Sequence, residues 1–96
     1  MTKENAVTNN KQKQQFQMAL GAEKMAFIQY EETGEGVLAL THTEVPPEFE
    51  GQGIGSQLVK GMFEIVRAEE LKIVPECRFV AAYIRRHPEY QSLVAA

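Results

Sequence analysis

At Pro46-Pro47 the chain changes its rhythm. Ahead of this pair, apolar residues alternate with polar ones, the two-residue repeat of a strand. Beyond it they recur every three or four residues, the repeat of a helix. Neither proline can donate to a strand ladder, so the pair also ends any strand that reaches it. Such a chain builds sheet first and helix second, and its 96 residues leave room for a single core.

Three strands are expected in the first half. Phe16, Met18 and Leu20 face away from Gln15, Gln17 and Ala19, and a turn at Gly21, Ala22 and Glu23 follows. The second strand sets Ala26, Ile28 and Tyr30 on one face and Met25 and Phe27 on the other, so its start is covered on both sides. Thr33, Gly34, Glu35 and Gly36 are a hairpin signal. In the third strand, strict alternation puts Leu38, Leu40, His42 and Glu44 on one face, with Val37, Ala39, Thr41, Thr43 and Val45 on the other. Short turns between consecutive strands imply an antiparallel meander. Residues 1–13 are polar and aperiodic and read as a flexible arm ahead of a folded domain at residues 14–96.

In the second half, Ile54, Leu58, Val59, Met62, Ile65 and Val66 form a helical stripe. Gly61 inside it costs about 1 kcal/mol relative to Ala, which close packing on the sheet would justify. "LKIVP" is too short for a helix and reads as a buried strand. A second helix runs from Cys77 to Arg86, with Cys77, Val80, Ala81 and Ile84 on one stripe and Phe79 and Tyr83 on its neighbour. Arg85, Arg86 and His87 suit the negative end of the helix dipole, and Pro88 ends the helix. The expected fold is α/β, an antiparallel meander followed by helix, strand and helix (β-β-β-α-β-α).

Charge and cysteine content narrow the function. A formal charge of −3 and a pI near 5.4 argue against a nucleic-acid binder. No run approaches the roughly 18 apolar residues of a membrane span. One cysteine makes no intrachain disulfide, and residues 1–30 lack the pattern of a secretory signal, so a cytoplasmic protein is expected. Two separated histidines and one cysteine offer no metal-binding cluster.

The run "PEFEGQGIG" holds three glycines in five positions at the mouth of the first helix. A helix N-terminus exposes N–H groups with no partner inside the helix, and glycines let an anion approach the main chain without meeting a Cβ. The other reading is a turn that needs positive φ together with tight packing of the helix. Two known phosphate loops fail: Gly55 is followed by Ser56-Gln57 where a P-loop needs Lys-Ser/Thr, and "GQGIGS" lacks the dinucleotide spacing.

"EFEGQGIGSQLV" closely resembles the pyrophosphate loop of the GNAT superfamily of acetyl-CoA-dependent N-acetyltransferases, whose pattern Q/R-x-x-G-x-G/A opens the central helix. With "HTEV" before the loop and "HPEY" after the second helix, residues 16–93 are similar to the small single-domain GNAT-like proteins of the YjdJ type. The resemblance implies a minimal GNAT-like fold with acetyl-CoA as cofactor. It puts Thr43, Glu44 and Val45 along the pantetheine arm, and Gly51, Gln52, Gly53, Ile54, Gly55 and Ser56 around the phosphates. Two departures stand out. Glu50 replaces the usual Gln or Arg, and the two helices that larger relatives place between their first and second strands are missing. Those helices help build the acceptor site, so the resemblance leaves the acceptor, a small-molecule or peptide amine, unspecified.

Acetyl transfer needs a neutral amine, a polarised carbonyl and an acid for the leaving thiolate. Tyr83 sits near the place where larger relatives often carry that acid, or else it packs on Phe79. Cys77 lies at a helix start, and in the resembling small proteins a cysteine there faces the cofactor thiol. It either accepts the acetyl group or serves as a small core residue beside Val80 and Ile84. His42 is a base for the amine, or a strand histidine hydrogen-bonded at the sheet edge. The expected function is an N-acetyltransferase. The alternatives are an acetyl-CoA-binding module with little or no turnover, and a small protein-interaction domain. A monomer or weak homodimer is expected, because a small sheet leaves an edge exposed.

Overall fold

In the computed structural model, which describes residues 6–21 and 23–95, five strands form one sheet in sequence order. They are β1 (Val7–Asn10), β2 (Gln15–Gly21), β3 (Lys24–Gly34), β4 (Val37–Glu44) and β5 (Lys72–Pro75). The first four pair antiparallel and β5 joins β4 in parallel. The crossover between β4 and β5 is α1 (Ile54–Ala68), and α2 (Arg78–Arg86) follows β5.

One face of the sheet carries the core. Phe16, Met18, Ala26, Ile28, Tyr30, Leu38 and Leu40 recur at two-residue spacing along β2, β3 and β4. They share one buried cluster with Leu58, Met62, Phe63 and Val66 of α1 and Val80 and Ile84 of α2. Both helices therefore cover the same face, giving a two-layer α/β sandwich. Phe63 takes the fully buried place on α1 that the stripe had given to Ile65, which is half-buried.

The expected arm differs from what is observed. Residues 7–10 are strand β1, paired with β2 from Val7↔Met18 to Asn10↔Gln15, so the order is β-β-β-β-α-β-α. Val7 anchors it against α1: a Cβ added at Gly61 would lie 2.4 Å from Val7 Cγ2. Close packing does explain Gly61, and the packing partner is β1. The Tyr30 hydroxyl donates to Asn9 Oδ1 at 2.7 Å and fastens the strand further. Residues 1–5 of the expected arm, Ala22 of the expected turn and Ala96 lie outside the described residues.

After α2 a 3-10 turn (Pro88–Leu93) carries the chain back to the sheet, where Val94 bridges Ile73 and the Ala95 N–H donates to Ile73 O at 2.8 Å. Tyr83 stacks on His87 with ring centroids 4.3 Å apart and lies 6.4 Å from Phe63 and 5.9 Å from Tyr90. The expected packing of Tyr83 on Phe79 is absent, because Phe79 points to the opposite end of α1, over Gly55. Among the described residues no helix is long and apolar enough to cross a membrane.

Candidate functional site

The site begins with an irregularity in β4. Tyr30 pairs with Leu40 but Gln29 pairs with His42, so Thr41 is an extra residue, a β-bulge. Directly opposed residues share a face. Thr43, opposite Ile28, therefore joins Leu40 on the helix-covered face. His42 and Glu44, opposite Gln29 and Phe27, turn to the helix-free face. This corrects the strict alternation, which had put His42 on the Leu40 face. His42 Nε2 lies 3.1 Å from Glu44 Oε1, and its ring is tilted against Phe27 at 6.2 Å.

The parallel ladder to β5 ends at Leu40↔Pro75, immediately before the bulge. Pro75 has no N–H to continue it, and a bulge bends its strand. Past that point β4 pairs with β3 alone among the described residues, and a cleft of about 420 Å³ opens there.

Thr43 and Val45 line this cleft on the strand side, and Gly51, Gly53, Ile54, Gly55 and Ser56 on the helix side. Glu44 and Gln52 do not. Glu44 belongs to the other face, and Gln52 Nε2 donates to Glu48 O at 3.4 Å. Phe49, Glu50 and Phe79 complete the lining. Of these, only Glu50 was singled out from the sequence.

The loop needs its first two glycines for backbone reasons. Gly51 and Gly53 have φ of 83° and 77°, and no atom beyond the adjoining residues lies within 4 Å of where their Cβ would be. Gly53 is also the N-cap of α1 and supplies no side-chain cap. The Gln57 N–H is the first to reach back, to Gly53 O at 3.1 Å, so those of Ile54, Gly55 and Ser56 precede any intrahelical bond. A Lys24–Glu48 ion pair of 2.8 Å ties the preceding 3-10 turn (Pro47–Phe49) to β3. A diphosphate fits this arrangement of open main chain and unpaired donors at the positive end of a dipole. The Glu50 carboxylate opposes it, and no Lys or Arg among the described residues lines the cleft.

Cys77 is the N-cap of α2, only 9% exposed, and its Sγ lies 3.0 Å from Thr43 Oγ1. The bulge thus brings a β4 hydroxyl from the cleft wall against the α2 thiol. Tyr83 stays apart: it is buried in the ring cluster with Phe63, His87 and Tyr90 and does not line the cleft. Burial, followed by the fields of Tyr90 and Glu89, pushes its phenol above the ordinary value.

The sequence pattern of the GCN5-related N-acetyl-transferase family matches residues 15–93. The chain belongs to the GCN5-related N-acetyltransferase (GNAT) family. Among curated relatives, Protein NATD1 of Mus musculus is 34% identical over 88 residues, covering 91% of this chain and 80% of that one. Protein NATD1 of Homo sapiens is 33% identical, covering 91% and 78%. The solution structure of a GCN5-like protein from Staphylococcus aureus superimposes with a TM-score of 0.72 at 24% identity, over 99% of this chain and 92% of that one. The fold is therefore that of a single-domain GNAT protein.

Proposed function

We propose that this chain is an acetyl-CoA-dependent N-acetyltransferase that receives the coenzyme diphosphate at the bare N-terminus of α1 and the thioester beside Thr43 and Cys77. The observation that carries this reading is the uncapped helix start opening into the cleft where β4 and β5 part. The bound coenzyme would supply an activated acetyl group. Thr43, on the cleft wall, holds through Oγ1 the Sγ of Cys77, which is buried behind it and does not itself line the cleft. In this reading Cys77 Sγ would accept the acyl group as a thioester and pass its proton to the leaving thiolate. A neutral amine then takes the acyl group, and its surplus proton returns to Cys77 Sγ. His42, paired with Glu44, stands on the helix-free face, where a base would meet an amine arriving from that side. The acceptor is a small-molecule or peptide amine, the setting the cytoplasm, and the protein a monomer or weak homodimer.

A second reading, an acetyl-CoA-binding module without turnover, is favoured by one observation: among the described residues, no histidine or tyrosine lines the cleft. Incubation with acetyl-CoA and a panel of amines separates the two. Amine-dependent thiol release, with an acetylated protein seen by intact mass and lost in Cys77→Ala, supports transfer. Binding with neither thiol release nor acetylation leaves the module. A protein-interaction domain, the third reading, predicts no binding of CoA at all.

A further inference from the structure

Phe79 is the one large apolar side chain among the described residues that stands exposed, at 38% of its surface. Isolated exposed apolar residues are common, so its position is what carries information. The ring lines the cleft and lies over Gly55 so closely that a Cβ there would come within 2.5 Å of Phe79 Cζ. Gly51 and Gly53 are required by positive φ, but Gly55 sits inside α1 and is required by the ring. Val45, Phe49 and Ile54 continue the surface, so an apolar wall stands beside the open amides of the helix start. A phosphate satisfies the amides and leaves that wall wet. A ligand that fills the cleft must carry an apolar arm next to its anion.

We infer that Phe79, seated on Gly55, sets the specificity of this cleft. It selects the pantetheine side of coenzyme A and gives little grip to the nucleotide half alone. The inference rests on reading the cleft as a coenzyme A site. Covering the ring and its apolar neighbours removes surface from water, and contact with Gly55 already restrains the ring, so little side-chain freedom is lost on binding.

Calorimetry on the full chain with two probes, CoA and 3′-phospho-ADP, tests this. The wild type should bind CoA about tenfold or more tightly than the nucleotide. Phe79→Ala should weaken CoA about tenfold and 3′-phospho-ADP less than about twofold, with Phe79→Leu in between. Gly55→Ala should weaken CoA while Phe79 is present and do much less in the Phe79→Ala background, because the added methyl then meets no ring. Unchanged CoA affinity in Phe79→Ala, or equal loss for both probes, overturns the assignment while leaving the coenzyme site standing. No CoA binding by the wild type overturns the coenzyme reading itself, and this inference with it.

Discussion

The hydroxyl of Thr43 and the thiol of Cys77 meet at 3.0 Å across the gap between β4 and the start of α2. One comes from the strand that enters the glycine loop and the other from the helix after the crossover, so the contact exists only once the fold has closed. Thr43→Val keeps the shape and removes the hydroxyl. Formation of acetylated Cys77, followed by intact mass, should slow about tenfold, the upper range for one neutral hydrogen bond. An unchanged rate would mean that Thr43 does not hold the sulfur.

Thr41 is the extra residue of β4, and removing it should straighten the strand without reversing any face, since Leu40, His42 and Thr43 keep their partners on β3. The Thr41 deletion variant should fold with native-like circular dichroism but lose most of its CoA affinity, because β4 and β5 no longer part. Retained affinity would show that the gap owes nothing to the bulge.

Gly61→Ala gains about 1 kcal/mol of helix propensity, yet its new methyl would stand 2.4 Å from Val7 Cγ2. The variant should melt below the wild type, and Val7→Ala in the same chain should recover part of the loss. A rise in melting temperature for Gly61→Ala alone would contradict the docking of β1 on α1.

Glu50 puts a carboxylate in the lining of a cleft assigned to an anion. Glu50→Gln should tighten CoA several-fold at low salt, and the gain should shrink as added salt screens the charge. Equal affinities at low salt would place the phosphates away from Glu50.

Much of this architecture could be read from periodicity. The strands around Phe16, Ile28 and Leu40 and both helices bury one face each, so every second, or every third and fourth, position reports the core. β1 was missed because Val7 is the one large apolar side chain in a four-residue strand, and its partner is a missing side chain, at Gly61. The bulge was missed because an inserted threonine looks like any strand residue. Only the pairing of His42 with Gln29 reveals it, and that register decides which face His42 and Thr43 take. The glycine loop was legible as a loop, while Phe79 was not legible as part of the site. On a helical wheel it neighbours Tyr83, and only the approach of α2 to the start of α1 sends the two rings to opposite ends.

An amide-resolved NMR titration with acetyl-CoA tests the central claim most directly. The resonances of Gly51, Gly53, Ile54, Gly55 and Ser56 should move to saturation together, while those of Val7 and Thr8 in β1 stay in place. A saturating titration that leaves the loop resonances where they began would contradict the account.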